Sequence, residues 1–244
     1  MKTLFFDCRS GVCSDMILSG LLDMGLDLDC PAKTELRELV TAELNADAIA
    51  RMEGHHHHDH EEGHHHTSYK QILAIIDKAP LTEGAKAMAG NIYRVIAQGE
   101  AKVHGTDLDH VHFHEVGRID AIMNILLIAA GIDTIGADDI VCSDIHDGCG
   151  TIMCSHGEIP VPVPAVMAIR ESEEAKKLHY SFVEDKIEDE MVTPSGLGIL
   201  VGIGARFGYF PEDDAVLARG MGRGAKDLGL PGMEITLLED GEFE

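Results

Sequence analysis

The chain has 244 residues, with 19 Lys and Arg against 43 Asp and Glu, a formal net charge of −24, 15 His, 6 Cys and no Trp. That charge repels phosphate backbones, so no nucleic-acid partner is expected. The longest apolar run, Ile125 to Ile132, falls well short of the ~20 residues of a membrane helix, and no signal-peptide core is read at the N-terminus, so no membrane and a cytoplasmic location are expected.

In chain order, Lys2 to Phe6 reads as a short apolar strand ending at Asp7, followed by the turn Ser10-Gly11-Val12-Cys13-Ser14-Asp15. Met16, Ile17, Leu18, Leu21, Leu22 and Met24 then form a helical stripe stopped by Gly25. A second helical pattern, Pro31 to Leu44, leads into a polar tract from His55 to His66 that lacks hydrophobic periodicity and reads as a mobile loop at about 53–67. Thr67 or Ser68 can cap a helix carrying Ile72, Leu73, Ile75 and Ile76, and Thr82 can cap another that runs to Val103 and ends at Gly105.

His110 to Val116 alternates with period two, as in a strand, and Ile119 to Ile135 reads as a buried helix. Strands are expected at Ile140–Cys142 and Ile152–Cys154, around the turn Asp147-Gly148-Cys149-Gly150. Pro160, Pro162 and Pro164 precede a short helix over 165–169, and the acidic stretch Glu171 to Glu190 reads as surface. Thr193 and Pro194 open a Gly-rich helix expected to reach Phe207, and Val216–Ala218 and Met233–Leu238 read as final strands flanking the loop Gly220-x-Gly222-x-Gly224. The alternation predicts an α/β, or mixed α+β, fold in one domain over 1–244, with one main sheet, flanking helices and a mobile His-rich insertion.

Two constellations point to metal. The tract supplies His55, His56, His57, His58, His60, His64, His65 and His66, mostly neutral imidazoles at pH 7 that suit nickel, copper or zinc, and Asp59, Glu61 and Glu62 ease the concentration of a dication. Such a tract gathers and hands over metal without enforcing a geometry. On a strand, His110, His112 and His114 share a face at about 6.5–7 Å between successive Cα atoms, with Glu115 and Asp120 nearby as carboxylates. Asp7, Ser10, Gly11 and Asp15 at the strand-to-helix turn suit either a cation or a helix cap. Cys154 and His156 read as a structural turn before the prolines, and the Thr193-Pro194-Ser195-Gly196 and Gly220–Gly224 segments offer amides suited to phosphate. With no CxxC pair, the cysteines read as thiols in a reducing compartment.

Together, Asp7-x-x-Ser10-Gly11-x-x-x-Asp15-Met16, the His-rich tract, Ala101-Lys102-Val103-His104-Gly105, Val111-His112-Phe113-His114-Glu115-Val116-Gly117-x-x-Asp120, Cys154-x-His156-Gly157-x-x-Pro160-Val161-Pro162, Val192-Thr193-Pro194-x-Gly196 and Lys226-Asp227-Leu228 resemble the nickel-insertion proteins of nickel-pincer cofactor biosynthesis, the LarC family. The resemblance covers nearly the whole chain, and it departs from the family at Cys8-Arg9, Ser14, Asn124 and Asp144 to Asp147. It implies a nickel chelatase (a cyclometallase of the lyase class) that inserts Ni²⁺ into a pyridinium bis-thiocarboxylate mononucleotide to make the cofactor of lactate racemase-type enzymes. It implies dependence on CTP with Mg²⁺ or Mn²⁺, through a C-terminal domain of the family not contained in this sequence; a separate C-terminal partner chain, a fragment of a longer protein and a diverged member stay open, as does a homo-oligomer. By position, His112, His114, Glu115 and Asp120 are expected at the catalytic centre. Asp7, Ser10, Gly11, Asp15, His156, Thr193 and Ser195 are expected to bind the ligand, and His112, His114 and the tract to bind metal. A His or Glu of the 112–115 group is the expected proton acceptor. The alternative from another class is a non-catalytic nickel or zinc store or metallochaperone, and a metal-dependent hydrolase using Asp7, His112, His114 and Asp120 is a third.

Overall fold

A computed structural model of the chain describes residues 1–27, 31–54, 67–154 and 157–240, with 31–32 and 47–54 described by their backbone alone. In order, the elements are β1 (Lys2–Asp7), α1 (Ser14–Asp23), α2 (Pro31–Gly54), β2 (Thr67–Ser68), α3 (Tyr69–Lys78), α4 (Glu83–His104), β3 (His112–Phe113), α5 (Ile119–Ile135), β4 (Asp139–Cys142), β5 (Ile145–Asp147), β6 (Thr151–Cys154) and β7 (Gly157–Pro160). They continue as α6 (Pro164–Arg170), α7 (Glu173–Lys177), β8 (Phe182–Glu184), α8 (Pro194–Gly202), β9 (Arg206–Phe207), β10 (Ala215–Gly222) and β11 (Met233–Glu239). The fold is mixed α+β, as expected, around a five-stranded sheet of order β10-β11-β1-β4-β9.

β1 is the hub of that sheet. It pairs antiparallel with β11 (Leu4 opposite Leu237, Phe6 opposite Ile235) and parallel with β4 (Phe6 opposite Cys142). Because side chains alternate across a strand, Leu4 and Phe6 enter the large core with Ile17, Leu21, Ile92, Ile96 and Leu126. Phe5 turns to the other face, where it joins Val141 and Leu238 and meets Phe210 edge to face at 5.2 Å.

The helix starts follow the capping chemistry of the sequence. Ser68 Oγ accepts from Gln71 N at 3.3 Å while Gln71 Oε1 accepts from Ser68 N at 2.7 Å, a capping box that opens α3. Thr82 caps α4 through Ala85 N at 3.1 Å, and Gly105, at φ 64°, ends it. The second helix runs ten residues beyond Leu44, because the Ala-rich stretch that follows keeps helical propensity high.

Three expectations are corrected. The strand over 110–116 contracts to His112–Phe113, paired with Thr67–Ser68. His110 is drawn out of it into a 3-10 turn, because Asp107 Oδ1 accepts from His110 N at 3.2 Å and lies 2.6 Å from its Nδ1. The eighth helix stops at Gly202 instead of Phe207, with Gly204 at φ 73° breaking it and Arg206–Phe207 pairing beside β4. Gly220 and Gly222 belong to strand β10, not to a loop. A Cβ on Gly220 would lie 2.1 Å from Gly20 O, and one on Gly222 would lie 1.8 Å from Met16 O, so both glycines let β10 lie directly against α1.

Candidate functional site

A cleft of about 530 Å³ opens where the start of α1, the end of α4, the 114–116 turn, the β6–β7 hairpin and the start of α8 come together. This volume suits a small organic ligand. Cys13, Ser14 and Asp15 come from the cap and first turn of α1, Glu100, Val103 and His104 from α4, and His114, Glu115 and Val116 from the turn after β3. Glu190, Thr193, Pro194 and Ser195 line the side formed by α8, with Lys226 beside them. Ile152, Met153, Ile159, Val163 and Ala165 supply apolar wall.

The α8 side is built by the backbone of β1's loop. Val12 N donates to Met191 O at 2.9 Å and Thr193 N donates to Val12 O at 3.1 Å, stitching the 10–13 loop to the 191–193 segment. Gly11 makes this approach feasible: it has φ 85°, and a Cβ there would stand 2.3 Å from Met191 O. Thr193 Oγ1 accepts from Gly196 N at 3.0 Å as the α8 cap and lies 3.0 Å from Ser195 Oγ. Asp147 holds the same segment from beneath. Its buried Oδ1 accepts from Gly148 N at 2.8 Å and Val192 N at 3.2 Å, while Oδ2 has no partner among the described residues. Burial pushes the Asp147 carboxyl above its usual range, partly offset by those amides and by the charge of Arg170.

Among the expected site residues, the cleft brings together Asp15, His114, Glu115, Thr193 and Ser195. Asp15 is fixed by Asn124, whose Nδ2 donates to Oδ1 at 2.6 Å. His114 and His104 stand with ring centroids 6.5 Å apart, and His104 Nε2 lies 3.4 Å from Glu100 Oε2. His112 is exposed on β3 and does not line the cleft. Asp120, 84% exposed, faces Arg37 at 3.4 Å instead. Asp7 is occupied by its own neighbour, accepting from Arg9 N at 3.1 Å and Arg9 Nε at 2.8 Å. Its partial burial favours a raised pKa, but the hydrogen bonds and charge of Arg9 outweigh this and hold the carboxyl below its usual range. Ser10 ends the short turn after β1, outside the cleft lining with Gly11. The four groups of the hydrolase reading, Asp7, His112, His114 and Asp120, are therefore not gathered in this cleft. His156 and the tract residues His55, His56, His57, His58, His60, His64, His65 and His66 lie outside the described residues.

Glu190 and Lys226 also line the cleft, although the sequence gives neither a site role and its acidic pattern places Glu190 on the surface. Glu190 instead ends that stretch half-buried, immediately before the buried pair Met191 and Val192. Its carboxyl is pushed up to about 7, first by burial, then by the charges of Glu115, Asp147 and Asp189, with Lys226 pulling the other way. The one legible hint was the switch from acidic to apolar residues two positions ahead of the Thr193 cap. Burial likewise raises the Cys13 thiol, so it is not poised as a thiolate. Among the described residues no three His, Cys, Asp or Glu side chains converge to hold a metal ion. No helix of the described residues is long and apolar enough to cross a membrane.

Residues 4–241 match the family model described as nickel insertion protein. The chain is 36% identical to a pyridinium-3,5-bisthiocarboxylic acid mononucleotide nickel insertion protein of Acetivibrio thermocellus, over 94% of this chain and 58% of that relative. It is also 36% identical to one of Lactiplantibacillus plantarum (94% and 59%), and 32% identical to one of Staphylococcus epidermidis (100% and 60%). It thus spans a little under three fifths to three fifths of the length of these curated relatives. No solved structure matches it. With the match running from β1 through β11 and across every segment that walls the cleft, the chain belongs to the nickel insertion protein family.

Proposed function

We propose that the chain carries the nickel-inserting centre for a pyridinium bis-thiocarboxylate mononucleotide, the substrate named for its relatives. The observation that carries this reading is the cleft, which sets two imidazoles, His104 and His114, against a carboxylate-rich and partly apolar wall. Nickel here is cargo. The two sulfurs and the ring carbon of the ligand complete most of its coordination, so one or two protein imidazoles suffice to present it. The acidic cleft attracts Ni²⁺ and the cationic ring, and Lys226 is the one Lys or Arg among its described lining residues, suited to an anionic group of the mononucleotide.

The His-rich stretch at 55–66 supplies metal to this centre, and the unbridged thiols Cys8, Cys13, Cys142 and Cys149 suit a cytoplasmic setting. CTP with Mg²⁺ or Mn²⁺ acts through the portion of the relatives that this chain does not span. The test mixes the ligand, Ni²⁺ and CTP with this chain, with and without the C-terminal portion of a relative, and follows incorporation by mass and absorbance. Nickel-bearing product is expected. Metal bound to the protein with no product under either condition would favour the storage reading and overturn this one.

A further inference from the structure

Forming a carbon–nickel bond at an aromatic ring requires that the ring carbon lose its proton, and the carboxylates of the cleft differ in their freedom to accept it. Asp15 is engaged by Asn124, Glu100 faces His104, and Glu115 is exposed to water. Glu190 is half-buried, and among the described residues no side chain hydrogen-bonds its carboxylate. Its backbone is pinned on both sides. Glu190 N donates to Asp189 Oδ1 at 2.7 Å, the same oxygen that holds Lys226 Nζ at 2.5 Å, and Met191 O and Val192 N are tied to Val12 and Asp147. The side chain is thus presented to the cleft on a fixed segment.

We propose that the Glu190 carboxylate takes the proton from the ring carbon as the carbon–nickel bond forms, an assignment that rests on the nickel-insertion reading. The C–H electron pair becomes the carbon–nickel bond and the proton passes to a Glu190 oxygen. Nickel stays divalent, nothing is oxidised, and the protonated carboxyl returns its proton to water after product leaves. The charged and titratable groups facing Glu190 are Lys226, Glu115, Asp147, Asp189 and the Cys13 thiol. Their balance, together with burial, sets the carboxyl at about 7, where a base is half ionised at neutral pH and still basic enough to act.

The test measures insertion by the chain with CTP, Mg²⁺ and the C-terminal portion of a relative, using ligand with protium or deuterium at the reacting carbon. Wild-type insertion is expected to rise with pH through about 7. E190Q is expected to lose about 100-fold or more in rate with unchanged affinity for ligand and Ni²⁺, and E190D to retain part of the rate with a shifted pH profile. Circular dichroism and thermal unfolding of both variants confirm that they fold. Insertion by E190Q at the wild-type rate and with the wild-type pH profile would overturn the assignment while leaving the nickel-insertion reading intact. Failure of the wild-type assembly to insert nickel at all would overturn both.

Discussion

Replacing Gly222 by Ala probes the contact that sets α1, and with it one wall of the cleft. Gly222 lies in β10 with φ outside the left-handed region, so alanine meets no backbone strain there. It meets the Met16 carbonyl oxygen instead, at 1.8 Å where an ordinary carbon–oxygen contact is about 3.3 Å. Helix and strand must separate by about 1.5 Å, and because both are packed, overfilling of this kind costs about 1–3 kcal/mol. In a chain of this size that lowers Tm by about 4–8 °C for a 2 kcal/mol loss. α1 also carries Ser14 and Asp15 into the cleft, and a displacement of about 1 Å at a reacting centre can cost about 100-fold in rate. Gly224 is the control, since a Cβ there would stand 3.4 Å from Cys13 Sγ, an ordinary contact, and G224A should stay within about 0.5 kcal/mol of wild type. Thermal unfolding and insertion rates of both variants check this. If G222A melted with wild type, or if both variants lost ligand affinity equally at unchanged Tm, the glycines would be serving a ligand and the packing argument would fall.

Three further outcomes follow from the site. Because the folded chain holds the Glu190 proton up to about 7, against 4.5 for an ordinary Glu, stability falls as pH rises between those values and stays lower above them. E190Q should therefore be more stable than wild type by about 1–3 kcal/mol at pH 8 and equal to it below about pH 4.5, and a pH-independent difference in urea unfolding would contradict this. D147A strands the amides of Gly148 and Val192 and should cost about 2–4 kcal/mol, whereas D147N keeps an acceptor and removes a buried charge at about 1 kcal/mol or less; equal losses in denaturant unfolding would refute the role given to Oδ1. H114A should lower insertion at least about tenfold while H112A, outside the cleft, leaves it nearly unchanged, and similar rates for the two would remove His114 from the centre.

The elements whose evidence is local were legible before any coordinates. Thr67 or Ser68, Thr82, and Thr193 with Pro194 announce helix starts because capping is a short-range bargain between a side chain and the next turn, and Ser68 is the residue that caps α3. What escaped was set by distant partners. The period-two pattern over 110–116 is true of burial, with Val111 and Phe113 inside and His112 outside, yet a strand needs a neighbour, and Thr67–Ser68 offers only two residues of one. Gly220 and Gly222 look like a phosphate loop until α1 is seen lying on them. Glu190 is hidden for the same reason: it closes a largely acidic stretch that reads as surface, while its neighbours in space, Glu115 from the turn after β3 and Asp147 from β5, come from 75 and 43 residues away. His114 is reachable from the sequence through its motif, whereas Asp120 pairs with Arg37, 83 residues away, and Asp7 with Arg9, two residues on, and neither carboxylate lines the cleft.

If the cleft is the nickel-inserting centre proposed above, its composition bears on how such a centre lets go of its metal. A resident site gathers three or four protein donors and binds tightly, which suits a cofactor and defeats transfer. On the nickel-insertion reading, the imidazoles of His104 and His114, with ring centroids 6.5 Å apart, leave most of the coordination to be filled by the ligand's own sulfurs. Affinity for Ni²⁺ at this centre should therefore depend on the ligand. In a variant lacking residues 55–66, which removes the competing imidazoles, calorimetric titration with Ni²⁺ should show weak binding alone and at least about tenfold tighter binding with ligand present, about 1.4 kcal/mol of coupling. The coupling must be reciprocal, so Ni²⁺ should tighten ligand binding by the same factor. Tight stoichiometric nickel binding by that variant without ligand would mean that the protein itself completes the coordination sphere, and the transfer argument would fail.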